Sequence, residues 1–297
     1  MIKIKRLSDQ PKLYKKVINL IEESYSYEQI NSFEIDFYPL INKSNWKNCY
    51  VILDQTSNEL LGHIGTKPRF IVFSNENIDC IFLGGIAIKK EFQGKGIFKS
   101  AFSHLLDALK SKYSYAFLWS DKIELYKKFN FSPISYSYLK INLNQTSKTL
   151  LNLNYQQKSF KELASSEKRQ IRKLFKENIE KVYVTPKRTD KIWNEVEEIS
   201  SIDLFIKYKN NQISSYCLLG KGQDYQNIIH EFVCSEAEDF SINKIENISI
   251  IYPQSIHDSN SENHLIPTAL YKNFCNGDKL EKFLATNKFF ISGADSI

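Results

Sequence analysis

The chain has 297 residues and is 42% hydrophobic, so it is long enough and apolar enough to bury the core of one or two domains. Its net charge of +6 is small for this length, and the lysines form no basic stripe with interleaved aromatic residues, which predicts no nucleic-acid partner. No apolar run reaches the roughly 18 residues of a membrane span. The first residues alternate charged and apolar side chains, so we predict no membrane association and no secretory segment.

The five cysteines are odd in number and scattered, and no Cys-x-x-Cys pair occurs. This pattern predicts neither a zinc site nor a disulfide framework. It fits a protein of the reducing cytoplasm.

The first 80 residues predict a strand, a helix and a hairpin in that order. Residues 1–7 alternate like a strand, and residues 10–25 carry apolar side chains at helical spacing. Two strand-like runs follow at 50–54 and 60–73, separated by the polar turn at 56–58.

A glycine loop follows the next strand. Residues 81–88 form a nearly unbroken apolar run, which indicates a strand buried on both faces, and Gly84 and Gly85 inside it predict a bulge. Residues 93–96 read Gln-Gly-Lys-Gly and lead into an amphipathic helix over 97–109. Glycines that turn backbone N–H groups toward one point, next to the start of a helix, form an anion site. The spacing matches neither the P-loop nor the dinucleotide-binding glycine pattern.

After that helix, residues 115–119 predict another strand. Residues 125–131 then read Leu-Tyr-Lys-Lys-Phe-Asn-Phe and predict a short helix that ends at Asn130, because asparagine tolerates the left-handed conformation of a helix cap.

These motifs, in this order, resemble the GNAT superfamily of acyl-CoA-dependent N-acyltransferases. The family signature Gln/Arg-x-x-Gly-x-Gly/Ala is matched by Gln93 and Gly96, while Phe98 stands where the last small residue is expected. The family pattern Leu-Tyr-x-x-x-Gly-Phe is matched over 125–131, with Asn130 in place of glycine. The resemblance covers about residues 1–145.

The resemblance implies an α/β (α+β) GNAT fold, a mixed central sheet flanked by helices, with acetyl-CoA as co-substrate and no metal. Tyr126 would be the general acid that protonates the departing CoA thiolate. The backbone of the bulged strand would pair with pantetheine, and the loop amides would bind the phosphates. The implied CoA contacts are Ile86, Ala87, Ile88, Gln93, Gly94, Lys95, Gly96, Ile97 and Phe98.

The second half repeats the element order without the glycine signature. Residues 143–157 are polar and predict a linker, and Gly220 and Gly222 fall between two strands and open no helix. We therefore expect a catalytic domain over 1–145 and a degenerate GNAT-like domain over 158–297 that cannot bind CoA. The alternative is an unrelated α+β substrate domain. The predicted elements are helices at 165–178, 190–199, 240–247 and 280–285, and strands at 202–208, 213–219, 227–234, 249–252 and 288–292.

The general base stays open at this point. A base is needed because the attacking amine must be neutral. In some multi-domain relatives the terminal carboxylate reaches the active site, which makes the segment 293–297 a further candidate. His230 and Glu231 are adjacent on a strand and face opposite sides, so they predict no shared metal site. The conceivable bases are Glu34, Asp36, His63, Asp121 and Glu231, and the aromatic residues that would shape an acceptor pocket or a small core are Phe33, Phe37, Tyr38 and Trp46.

The leading interpretation is an N-acetyltransferase in which a small-molecule or peptide amine attacks acetyl-CoA directly in a ternary complex. Direct attack is favoured because the motif contains no cysteine that would form an acyl-enzyme. Two alternatives remain, a transferase of the tandem type that uses an aminoacyl or other bulkier donor, and a CoA-binding sensor without chemistry. The acceptor and the oligomeric state do not follow from the sequence.

Overall fold

The computed structural model describes residues 1–73, 76–142, 145–235, 247–253, 264–275, 277–286 and 288–297. Within these residues the chain forms a mixed sheet flanked by helices. The strands are β1 (Ile2–Arg6), β2 (Cys49–Asp54), β3 (Leu60–Phe73), β4 (Glu76–Ile88), β5 (Tyr115–Leu118), β6 (Ser132–Lys140), β7 (Gln156–Lys158), β8 (Thr185–Pro186), β9 (Asp203–Lys209), β10 (Gln212–Leu219), β11 (Ile229–Cys234), β12 (Ile250–Pro253) and β13 (His264–Asn273). The helices are α1 (Tyr14–Ser24), α2 (Phe33–Asp36), α3 (Tyr38–Ile41), α4 (Ile97–Leu109), α5 (Ile123–Lys127), α6 (Thr146–Asn152), α7 (Ser165–Phe175), α8 (Asp190–Glu197) and α9 (Lys279–Thr286).

One sheet runs through both halves of the chain. Its strand order is β1-β2-β3-β4-β5-β13-β6-β12-β11-β10-β9-β7, and β8 pairs with β3. Strand β13 lies between β5 and β6 and pairs antiparallel with both. The second half therefore completes the sheet of the first half. The division at residues 145 and 158 stays a prediction.

Among the predicted elements that fall on described residues, most are present within a few residues of their expected bounds, but two predictions are wrong. The linker prediction is wrong over 146–152 and 156–157, which belong to α6 and β7. The strand prediction for 288–292 is also wrong, since Phe289 makes only an isolated bridge to Val184. The helix predicted for 240–247 lies outside the described residues apart from its last residue.

The site-bearing part of the sheet is covered on both faces. Side chains alternate along β4, so that Cys80 and Phe82 join the core beneath α1, while Ile81 and Leu83 join the core beneath α4. This double burial explains the continuous apolar run of β4 in the sequence. Among the helices that the structure describes, none is long and apolar enough to cross a membrane.

Candidate active site

Strands β4 and β5 pair only along part of their length. They run parallel from Cys80 opposite Tyr115 to Leu83 opposite Leu118, and the pairing ends there although β4 continues to Ile88. On the other edge of β4, the register with β3 shifts at the segment that contains Gly85, whose φ is +55°. This bulge is the one that the two glycines predict. Beyond it, β4 has a backbone edge that β5 does not cover.

A cavity of about 750 Å³ opens at this gap. Its wall comes from the end of α1, the residues around α2, the end of β4, the glycine loop, the start of α5 and two segments of the second half. The lining residues include Gly84, Ile86, Gln93, Gly94, Gly96, Phe98, Lys99, Trp119, Asp121, Tyr126, Asp224, Tyr225, Ser296 and Ile297.

The glycine loop has the geometry of an anion cradle. Gly94 and Gly96 have φ of +74° and +76°, and Gly96 directly precedes the first residue of α4. No side chain caps this helix, so the N–H groups of its first turn lack intrahelical acceptors. A Cβ atom at either glycine would meet nothing within 4 Å. The glycines therefore serve the backbone conformation, and the space beside them is free for a ligand.

Phe98 does not cover the start of α4. Its ring stacks on Phe102 at a centroid distance of 5.0 Å and meets the edges of Tyr126 and Phe129 at 6.1 and 5.5 Å. The larger side chain thus packs sideways into an aromatic cluster. The departure from the family signature leaves the N–H groups of the helix open and places an aromatic ring against Tyr126.

Tyr126 is a buried residue with its phenol at the cavity wall. It lies near the end of α5, whose left-handed cap at Asn130 has φ of +62°, as the sequence predicts. Burial raises the pKa of Tyr126, and the proximity of Tyr25 and Asp121 adds to this rise. The phenol is therefore protonated at neutral pH. No residue in the described ranges forms a hydrogen bond with its hydroxyl group.

Tyr25 also lines the cavity. Its hydroxyl group donates a hydrogen bond of 3.1 Å to the carbonyl oxygen of Ile86, on the free edge of β4. Tyr25 directly follows α1 and precedes Ser26, which has φ of +54°. The Tyr25 hydroxyl group thus uses a hydrogen-bond acceptor that the resemblance assigns to pantetheine.

The segment 292–297 runs through the interior to the same cavity. The backbone of Ile297 lies against Gly84, so closely that a Cβ atom at Gly84 would overlap its carbonyl group. Asp295 anchors this segment through ion pairs with Arg69 and, at 2.9 Å, with Arg188. Glycine at the bulge is therefore needed for the passage of this segment as well as for the turn of the strand.

The anchor of this segment belongs to a buried charge network. Arg188 also donates to both oxygens of Glu231, at 3.0 and 2.5 Å, and Tyr216 donates to Glu231 at 2.7 Å. The pKa of Asp295 is lowered, because the attraction of Arg188 and Arg69 outweighs the effect of burial. Pairing of this kind offsets part of the cost of removing the charges from water.

The fold places the candidate bases in different parts of the molecule. Asp121 lines the cavity. Glu34 pairs with Lys15 on the surface at 3.2 Å, and Glu231 lies in the buried network. Asp36 is buried against the backbone of Gly222.

His63 holds the bulge instead of facing the cavity. Its Nδ1–H donates a 2.7 Å hydrogen bond to the carbonyl oxygen of Gly85, and burial lowers its pKa to about 4. His230, the other histidine considered, contacts Gly220 and Ser292 in the interior.

Two of the four predicted aromatic residues line the cavity, and two lie elsewhere. Phe33 and Phe37 stack on each other and line the cavity. Tyr38 packs against the core of the second half, and Trp46 packs on Tyr14.

Sequence reasoning missed the loop that joins β10 and β11, which forms part of the wall. It brings Asp224 and Tyr225 to the cavity. The available signal was the Gly-Lys-Gly tripeptide at 220–222, in which Gly220 and Gly222 have φ of +73° and +54°. That signal marks a special turn, but it does not show what the turn contacts.

The comparisons with known proteins agree with this geometry. Residues 4–134 match the family model described as Acetyltransferase (GNAT) domain. A search of curated protein sequences finds no match. Similar solved structures include a probable N-acyltransferase from Enterococcus faecalis (13% identity, 92% of this chain and 72% of that chain, TM-score 0.65). A GCN5-related N-acetyltransferase from Anabaena variabilis is similar at 11% identity, over 93% of this chain and 73% of that chain, with a TM-score of 0.63.

A more distant similarity extends to N-myristoyltransferase from Saccharomyces cerevisiae with bound myristoyl-CoA, at 11% identity over 80% of this chain and 64% of that chain, with a TM-score of 0.54. These likenesses confirm the predicted mixed α/β fold. The match to the acetyltransferase family model covers residues 4–134, which include the glycine loop and Tyr126.

Proposed function

We propose that the protein is an N-acetyltransferase that moves an acetyl group from acetyl-CoA to a primary amine by direct attack in a ternary complex. The observation that carries this proposal is the single cavity that joins the glycine cradle at 93–98, the free edge of β4 and the phenol of Tyr126. Each part matches one part of the donor, from the pyrophosphate through the pantetheine arm to the thioester.

In this proposal the pyrophosphate binds the N–H groups between Gln93 and Phe98. The dipole of α4 favours negative charge at the same point. The pantetheine arm extends along residues 86–88 and pairs with the backbone like an added strand. For this pairing, the hydroxyl group of Tyr25 leaves the carbonyl oxygen of Ile86.

The amine then attacks the carbonyl carbon of the thioester, and a C–N bond forms. The tetrahedral intermediate collapses, the C–S bond breaks, and the sulfur takes the proton of the Tyr126 hydroxyl group. The nitrogen of the new amide gives up one proton to solvent, and the Tyr126 phenolate takes one back. The same burial that raises the pKa of Tyr126 also raises the pKa of the thiol formed beside it. The proton transfer therefore stays feasible although the phenol is a weaker acid than usual.

The wall behind the bulge favours a short acyl chain. The backbone of Ile297 fills the space at Gly84, and a Cβ atom at Gly85 would already lie 3.1 Å from the ring of Phe33. Little room remains for a long acyl group beyond the thioester. Turnover should fall steadily from acetyl-CoA to butyryl-CoA and hexanoyl-CoA, and an equal rate with hexanoyl-CoA would contradict this assignment.

Removal of the Tyr126 hydroxyl group tests the chemistry. Tyr126→Phe should lower kcat by about 10²-fold or more, because a positioned general acid typically contributes that much. The affinity for acetyl-CoA, measured by calorimetry, should stay the same. Tyr113→Phe, a half-buried tyrosine that packs beneath α4, is the matched control. Unchanged turnover in Tyr126→Phe would remove Tyr126 from the mechanism, and tight CoA binding without any transfer across an amine panel would favour a sensor.

A further inference from the structure

The loop 220–225 comes from the second half and is fixed against the first half. The side chain of Gln223 accepts a hydrogen bond from the N–H of Glu28 at 2.9 Å and donates one to the carbonyl oxygen of Tyr25 at 3.2 Å. Gly222 packs so closely on Asp36 that any Cβ atom would overlap the carboxylate. The loop is therefore a built part of the cavity wall.

The cation of this loop faces away from the cavity. Lys221 is fully buried and donates to the carbonyl oxygens of Gly293 and Ser296, at 2.9 and 2.8 Å, and to the Ser296 hydroxyl group. Its ammonium group also lies 4.1 Å from the ring centroid of Phe37. These contacts hold Lys221 against the segment 292–297, where it is not available to a ligand.

The anion of the loop faces the cavity. Asp224 lines it, and no residue in the described part of the chain donates a hydrogen bond or forms an ion pair with its carboxylate. The buried Asp36 contacts Gly222, two residues before Asp224. Burial raises the pKa of Asp224, and the carboxylate of Asp36 adds to this rise. Two carboxylates therefore lie at this end of the cavity, and the one nearby lysine is held by the segment 292–297. The surrounding cavity residues are aromatic, namely Tyr25, Tyr27, Phe33, Phe37 and Tyr225.

An excess carboxylate among aromatic rings is a site for an organic cation, because the ring faces and the carboxylate attract the same charge. The reacting amine must lose its positive charge before it attacks the thioester. A fixed carboxylate that held only this amine would keep it protonated. A second ammonium group keeps its charge throughout the reaction, so the carboxylate attracts it at every step.

We propose that the acceptor is a primary amine with a second positive charge, and that Asp224 binds this second charge. The proposal rests on the proposed acetyl transfer, which supplies the reacting amine. In it, the catalytic half binds the donor, and the loop 220–225 of the second half selects the acceptor. Asp224 is thus a specificity-determining residue.

The test compares two acceptors of equal chain length, butane-1,4-diamine and butylamine. The wild-type protein should prefer the diamine by roughly 10- to 100-fold in kcat/KM, the range expected for a hydrogen-bonded charge pair. In Asp224→Asn this ratio should fall to about 1. Asp107→Asn, on an exposed face of α4, should keep the wild-type ratio.

Binding of both amines to the CoA-loaded protein, measured by calorimetry, gives the same comparison without turnover. A binding preference for the diamine that depends on Asp224, but without acetylation, would support the acceptor site and contradict the transferase proposal. Equal affinity for both amines, or a preference that survives in Asp224→Asn, would overturn the inference. A parallel fall of kcat for both acceptors with an unchanged ratio would also overturn it, because Asp224 would then act as a base.

Discussion

The chain uses the tripeptide Gly-Lys-Gly twice, at 94–96 and at 220–222, and the two copies have opposite surroundings. Both pairs of glycines have positive φ. In the first copy the space beside the glycines is open, the lysine is exposed and a helix begins at the next residue. In the second copy Gly222 presses on Asp36, and Lys221 is fully buried. The same local conformation therefore leaves open space at the start of a helix in one place and makes a structural joint in the other.

The difference arises from the element that comes after each tripeptide. A helix after the first copy supplies free N–H groups and a positive dipole end. A return strand after the second copy supplies neither, and the other half of the chain covers the turn. Burial then decides the role of the lysine, because a buried ammonium group destabilises the folded protein unless acceptors pair with it.

The largest expected difference between the two copies concerns their lysines. Lys221→Met should lower the free energy of unfolding by about 3–5 kcal/mol, because it leaves two buried carbonyl groups and the Ser296 hydroxyl group without their hydrogen-bond donor. Lys95→Met should change it by less than about 0.5 kcal/mol, as for most exposed positions. Urea unfolding followed by circular dichroism measures both. Equal stability of the two variants would mean that Lys221 is not a joint.

The glycines should differ by a smaller amount. Gly222→Ala should cost about 2–4 kcal/mol, from the strained positive φ and from the overlap with Asp36. Gly94→Ala should cost only the strain, about 1–2 kcal/mol. The double variant Asp36→Ala/Gly222→Ala should recover part of the loss through a measurable coupling energy. Additive effects in this cycle would contradict the contact.

The next effect depends on pH and concerns His230, which holds the second copy. Its Nε2–H donates to the carbonyl oxygen of Gly220 at 2.9 Å, and burial lowers its pKa to about 3 from an ordinary value of 6.5. Below pH 6.5 His230 binds a proton in the unfolded chain but stays neutral in the folded protein. Stability is therefore lost as the pH falls from 6.5 toward 3. By pH 5 this loss is roughly 2 kcal/mol.

The corresponding measurement is the free energy of unfolding at several pH values between 7.5 and 5. His230→Asn should show a shallower decline than the wild type, while His63 continues to contribute in both. The exposed His104 provides the control, and His104→Gln should follow the wild-type curve. A wild-type stability that stays constant over this range would show that these histidines are not held neutral.

Local patterns in the sequence predict the first copy of the tripeptide and its surroundings well. The apolar run of β4, the paired glycines and the amphipathic α4 follow one another in the chain. Each can therefore be predicted from residues that are close to it in sequence. The cap at Asn130 is equally local. The proposed CoA cradle is visible in the sequence for this reason.

The other side of the cavity depends on contacts between distant residues. Strand β13 enters the sheet of the first half beside β5, about 150 residues away in the chain. The hydrophobic pattern of a strand does not predict which strand at that distance it pairs with. Asp224 reaches the cavity only because Gln223 and Gly222 dock on the first half. The linker prediction for 143–157 fails for a related reason, since its polar residues form α6 and an edge strand whose surroundings decide their structure.

The central claim is that the first copy of the tripeptide binds the donor and the second does not. A crystal structure of the protein with CoA tests this most directly. We expect pyrophosphate oxygens within hydrogen-bonding distance, about 2.7–3.2 Å, of backbone nitrogens between Gly94 and Phe98, with the loop 220–225 free of phosphate contacts. A pyrophosphate bound away from the start of α4, or against the loop 220–225, would contradict this claim.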